Sequence, residues 1–183
     1  MSNYSIKDLR IAPGEGEATA SDMVIIARSN MLGGDFSIMH GEVRSRHLLV
    51  NHTHENEDQA VFLLAGELEF EVGGRNGLRF SAKAGDWVLK PRGIQHGFWN
   101  MNEETARYIE LSGRDGFERF VDARRDGIRA MTAKGEEVGM TFHYDRIPEL
   151  MLKHRLTGLS GVNVEAPSFK EILAKLPFTP KMS

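Results

Sequence analysis

The sequence predicts an all-β domain followed by a short helical tail, and three observations predict it. From Met23 to about Leu111, short apolar runs are broken by Gly, Asn and Asp at the spacing of a β-sandwich or barrel. Inside that stretch Leu68, Phe70 and Val72 alternate with Glu67, Glu69 and Glu71, the pattern of a strand with one buried and one solvated face. After about Gly113 the period becomes helical, with Phe117, Phe120, Val121 and Arg124 on one stripe.

The elements follow in order. Ala12 to Asp22, rich in Gly, Glu, Ala and Ser, reads as a loop after a short leader. Phe36 to His40 alternates like a strand, which puts His40 on the face of Phe36 and Ile38 and makes it a candidate cavity-lining residue. Gly73-Gly74 and Asn76-Gly77 supply a turn after the Glu67 to Val72 strand. Leu78 and Phe80 begin its return, Gly85-Asp86 turns the chain again, and Trp87 and Leu89 start a strand that stops at Pro91. Phe62, Phe70, Phe80, Trp87 and Phe98 read as core, and Phe98, two residues from a histidine, is a second cavity candidate. In the tail, Ile147, Leu150, Met151 and His154 form a second helical stripe, with Gly158 as its stop. Ser168 and Glu171 make a capping box before Ile172, Leu173 and Leu176, and Pro177 closes that helix. The expected organisation is a leader and loop over 1–22, a β-domain over 23–112 and a helical extension over 113–183.

Composition narrows the function classes. With 183 residues, 40% hydrophobic and 27% charged, the chain can bury a core without staples. A net charge of −3 gives no basic excess, so no nucleic-acid partner is expected. Zero cysteines exclude disulfides, thiolate zinc sites and cysteine nucleophiles, and fit a cytoplasmic protein. No signal peptide is read in Met1 to Arg10, and the longest apolar run, Ala60 to Ala65, is too short to span a bilayer, so no membrane partner is expected.

The histidines are not scattered. His52 and His54 are two apart and share a face if they lie on a strand. Gln59, Val61 and Leu63 share a face by the same rule, as do His96, Phe98 and Asn100. Three imidazoles converging inside a barrel would hold one divalent transition metal: Fe, Mn, Ni, Cu, Co or Zn. His47, His143 and His154 carry no such pattern, and Arg44 and Arg46 read as a solvated strand edge or as a greeting for an anionic substrate.

The two segments resemble the paired motifs of the cupin superfamily. The second motif, G-x5-P-x-G-x2-H-x3-N, is met at Gly85, Pro91, Gly93, His96 and Asn100. The first, G-x5-H-x-H-x3,4-E-x6-G, is met at His52, His54 and Gly66, but Arg46 replaces the leading glycine and Gln59 the metal-binding glutamate. The resemblance covers roughly residues 45 to 111 and implies a jelly-roll β-barrel with metal ligands His52, His54, Gln59 and His96. Gln59 is then either a ligand through its amide oxygen or a hydrogen-bond donor beside the ligands. The motifs look like those of quercetin-dioxygenase-like cupins, in which the glutamate is thought to act as a base; an amide cannot take that role. On an unbulged strand Asp58 would point away from the ligands.

The resemblance implies a metal-dependent enzyme on a small organic substrate, aromatic, enolic or polyketide-like, most readily a dioxygenase-type oxidoreductase. A non-redox cyclase, isomerase or lyase and a non-catalytic binding cupin are the alternatives, and no catalytic residue is assigned. A homodimer is expected, because cupins commonly pair and because the outer β-face and the tail stripes offer apolar surface.

Overall fold

The computed structural model describes residues 5–126 and 128–161. The expected Ser168–Glu171 capping box and its helix lie outside the described residues. A short helix α1 (Ile6–Leu9) precedes strands β1 (Glu17–Ala18), β2 (Met23–Ala27), β3 (Phe36–Val43), β4 (His47–His54) and β5 (Gln59–Ala65). Next come β6 (Glu67–Val72), β7 (Leu78–Lys83), β8 (Trp87–Lys90), β9 (His96–Trp99) and β10 (Ala106–Gly113). The tail holds α2 (Gly116–Ala123), α3 (Ile128–Val138), β11 (Met140–Phe142), α4 (Arg146–His154) and β12 (Gly158–Leu159).

Two sheets pack face to face, as expected of a jelly roll. Sheet one runs β1-β2-β3-β10-β5-β8, and sheet two β11-β4-β9-β6-β7, with β12 also paired to β4. Strand alternation sends Met39, Val61, Leu63 and Tyr108 inward from sheet one, and Leu68, Phe70 and Phe98 inward from sheet two. Phe117, Val121, Val138 and Met140 of the tail join the same apolar cluster. A smaller second cluster lies behind sheet two, where Leu150 and Leu156 cover Leu48 and Trp99.

The tail is therefore bound to the barrel by burial, and α2 and α4 lie where the helical spacing put them. It is not wholly helical. Strand β11 zips along β4, with Met140 opposite His54 and Phe142 opposite His52. Helix α3 was not apparent in the sequence; its interior Gly135 lowers helix propensity, and Met131 and Val138 are its buried apolar positions. Gly158 does not end α4. Arg155 does, at φ 53°, while Gly158 sits in β12 because a Cβ there would lie 2.4 Å from His47 Nε2.

Three packing expectations need correction. Glu71 was read as solvated, yet it is fully buried, because α4 covers the outer face of β6. There it accepts bonds from Asn51, Arg79 and Arg146. Trp87 was read as core, yet it is 55% exposed. The period in β8 runs the other way: Val88 and Lys90 point in, and Trp87 lies over Phe62 on the outer face. Phe80 does stack on Phe70, but on edge strand β7 it stays 39% exposed.

Arg46, standing where the first motif carries glycine, adopts φ 57° in the turn between β3 and β4. The turn demands a left-handed residue, and a non-glycine there costs about 1 kcal/mol.

Candidate metal centre

Strand β4 delivers His52 and His54 from alternate positions, and β9 delivers His96 directly opposite His52 in the antiparallel register. All three are buried. One ring nitrogen of each lies within 4.8 Å of the others. The ring centroids are 4.5 Å apart for His52 and His96 and 4.9 Å for His52 and His54.

The tautomers follow from the hydrogen bonds. His52 Nδ1 contacts the Val50 carbonyl at 2.7 Å, and His96 Nδ1 contacts the Ile94 carbonyl at 2.9 Å. A carbonyl only accepts, so each Nδ1 donates and each Nε2 carries its lone pair. The Nε2 atoms of His54 and His96 are buried with no hydrogen-bond partner. Ring nitrogens of three buried imidazoles within 4.8 Å of one another, with those of His52 and His96 free of protons, fit a metal ion. Burial, with the nearby Lys90 charge adding to it, pushes the His52 pKa down to about 3. Burial likewise holds His54 and His96 well below the usual histidine range. All three are therefore neutral and ready to ligate at neutral pH.

Gln59 is buried on the inner face of β5. Its amide nitrogen donates to Ser112 Oγ at 3.0 Å, which turns the amide oxygen away from that bond. That oxygen is buried and has no hydrogen-bond partner, which leaves it available as a donor. Asp58 lies in the loop between β4 and β5 and turns outward to pair with Arg92. His40 is half-buried on the outer face of β3, whose buried side holds Met39 and Gly41, so it is not brought to the imidazoles. Phe98 is fully buried against Phe70 and Tyr108 but does not line the cavity described below. Asn100 is structural: its amide donates to the Val43 and Glu104 carbonyls. His143 Nε2 meets Thr53 Oγ1, and His154 stacks on Trp99.

Several residues around the centre were not singled out in the sequence. Glu57, buried, accepts the Gly116 and Phe117 N–H groups at the start of α2 and approaches His54 Nδ1 to 3.9 Å. It joins the helix to the imidazole in one contact. Phe117 and Phe142 lay their rings 5.4 Å from His54 and 5.8 Å from His52. Lys90 and Glu110, each 2% exposed, make an ion pair at 2.6 Å. Burial pushes the lysine pKa down and the glutamate pKa up, and each opposes the shift of the other. The period of β8 could have placed Lys90 inside, had Trp87 not been assigned to the core.

A cavity of about 80 Å³ adjoins His52 and is lined also by Lys90, Tyr108, Glu110, Phe117 and Phe142. Helices α2 and α3 contribute Phe120 and Met131, among others, to its wall. Helix α2 is fastened at two further points: Ser29 bonds Glu118, and Arg28 pairs with Asp122.

A jelly-roll barrel that gathers three buried imidazoles has a group of side chains that could hold a metal ion. Residues 36–112 match the cupin domain family, so the chain carries a cupin domain there. No curated protein sequence matches the chain. Among solved structures, it is similar to an uncharacterised double-stranded β-helix protein from Klebsiella pneumoniae, with 17% identity and TM-score 0.47 over 78% of this chain and 97% of that one. It is similar to a sugar phosphate isomerase of the cupin superfamily from Silicibacter pomeroyi, with 15% identity and TM-score 0.49 over 58% of this chain and 76% of that one. It is also similar to the Cnp3 cupin domain of Schizosaccharomyces pombe, with 17% identity and TM-score 0.46 over 61% and 76%. Among the described residues, no helix is long and apolar enough to cross a membrane.

Proposed function

We propose that the chain is a metal-dependent cupin enzyme acting on a small organic substrate, with a dioxygenase-type oxidoreductase as the first reading. The observation that carries it is the set of three buried, neutral imidazoles, two of them with an orphaned Nε2. His52, His54 and His96 would hold the metal, with the Gln59 amide oxygen as fourth donor. A divalent transition metal in that place supplies Lewis acidity and, if it is iron, manganese, nickel or copper, redox chemistry. The remaining work falls to the chain. Phe117 and Phe142 exclude water from the imidazoles, Glu57 orients His54, and Lys90 and Glu110 present a cation and an anion to the substrate. The cavity, at about 80 Å³, falls far short of the roughly 300–1,000 Å³ typical of drug-sized ligands, which supports a small substrate over a flavonol.

The second reading is Lewis-acid catalysis by a cyclase, isomerase or lyase, and the donor set favours it. Four neutral donors leave the full charge on the metal, and Gln59 cannot act as a base. Metal content and the Gln59→Glu variant separate the two. The expected result is metal held at least about tenfold more tightly, because opposite charges a few ångströms apart attract by several kcal/mol even at an effective dielectric of about 20. Oxygen uptake by the iron-loaded chain with enolic or catecholic substrates supports the first reading. Turnover by the zinc-loaded chain that slows in Gln59→Glu supports the second. Unchanged metal affinity in Gln59→Glu would remove the amide from the donor set.

We also propose a cytoplasmic homodimer. The tail stripes are consumed within the chain, so the support comes from the outer face of sheet one. There Phe36, Leu64, Trp87 and Leu89 are 39%, 44%, 55% and 69% exposed. Sedimentation should give twice the chain mass, and Trp87→Glu with Leu89→Glu should return it to one chain. A single-chain mass for the unaltered protein at all concentrations counts against the dimer.

A further inference from the structure

The inner wall of sheet one carries charges that neither the fold nor the metal centre requires. Alternation along β8 sends Lys90 inward, and alternation along β10 sends Tyr108, Glu110 and Ser112 inward. The register places Lys90 beside Gln59, Gln59 beside Ser112, and Ser112 beside Ser37. This polar row faces the histidine-bearing sheet. The Lys90–Glu110 pair crosses over Val61, which lies between their strands. Both groups also line the cavity, with His52.

Such a pair is a poor device for stability, because desolvating two charges offsets their attraction. It sits where a ligand would sit. Arg124, half-buried at the end of α2, adds a second cation to the lining. Two cations, Lys90 and Arg124, thus line the cavity, with Glu110 paired to Lys90 and Asp22 within electrostatic reach of Arg124. A bound divalent metal would add positive charge beside that lining. A chamber of little volume with two cations in its lining suits a small anion.

We propose that Lys90 anchors the anionic group of a small organic carboxylate or enolate, and that the Glu110 carboxylate holds that place on the ammonium until the anion arrives. The proposal deepens the enzymatic reading above and rests on it only for the word substrate; anion capture stands without turnover. Glu110 is then an internal competitor. Its removal and the removal of Lys90 have opposite effects on anion binding, which a purely structural ion pair would not produce.

The experiment is calorimetric titration of acetate and of pyruvate into the full chain, with and without saturating zinc, and with acetamide as the neutral control. Lys90→Met is expected to weaken acetate and pyruvate by at least about tenfold, the loss of one charge-assisted bond. Glu110→Gln is expected to tighten both by about tenfold, and neither variant should change acetamide. Equal affinity in the unaltered chain and in Lys90→Met overturns the proposal. So does weaker or unchanged binding in Glu110→Gln, a variant that keeps the buried site filled and decides the matter if Lys90→Met fails to fold. Absence of saturable binding by the unaltered chain overturns it as well. Zinc affinity, read in the same titrations, reports separately on the metal centre: loss of zinc binding with Lys90-dependent acetate binding retained sinks the metal reading and leaves this one standing.

Discussion

Replacing His96 by alanine is expected to strip the chain of tightly held metal, with at least about a hundredfold loss of affinity. Altering a residue that merely supports a ligand costs about 10–100-fold, and His96 would itself be the ligand. Its imidazole is 1% exposed and its Nδ1 is committed to the Ile94 carbonyl, so no neighbour is placed to substitute for it. His52→Ala is expected to do the same. The cost in stability is smaller, about 2 kcal/mol for the hole left by the ring. The apolar clusters on both faces of sheet two persist, so the barrel folds without metal. Metal content after dialysis and a thermal melt check both halves. Full retention of metal by both variants would falsify the centre.

The second large effect concerns α4. Arg146 is 2% exposed and gives two bonds to Glu71, which is itself fully buried. Arg146→Met is expected to cost about 3 kcal/mol, because it leaves a buried carboxylate with only part of its compensation. Glu71→Gln combined with Arg146→Met is expected to cost less than the sum of the single changes. Denaturant melts of the three variants measure it, and strict additivity would show that the pair is not coupled.

The same pair sets a pH response. Burial alone would raise the Glu71 pKa, but the bonds from Arg146 and Arg79 outweigh it and hold the pKa below the ordinary value. A carboxylate lowered in the folded state stabilises above its unfolded pKa of about 4.3 and loses that contribution as pH falls through the folded value. The acid limb of the stability curve should therefore be shallower in Glu71→Gln than in the unaltered chain.

What the sequence made legible depended on how local each cause was. The His-x-His pair, the Gln59 substitution and the fixed glycines are local, and the strands around them fell where period two placed them. The Gly85 and Gly93 positions, at φ 97° and 73°, are turns that a reader can find without a partner strand. Arg46 shows the reverse: it occupies a left-handed turn that its own chemistry does not announce. Glu71, Trp87 and Lys90 were misread or passed over for one reason. Which face of a strand is buried depends on what lies against it, and α4, Phe62 and Glu110 are distant in sequence. Strand β11 was invisible because three residues show no period, and it forms only because β4 offers an open edge.

The fastenings of α2 carry a kinetic consequence. The chamber beside His52 is walled on one side by that helix, and the helix is tied down by Glu57, Ser29 and Arg28. Exchange with the outside through that wall needs a local unfastening, so entry and exit by that route share one rate-limiting event. A chelator added in excess should remove metal at a rate independent of chelator concentration. Cutting the Arg28–Asp122 tie should speed that rate while leaving the equilibrium affinity for metal where it was.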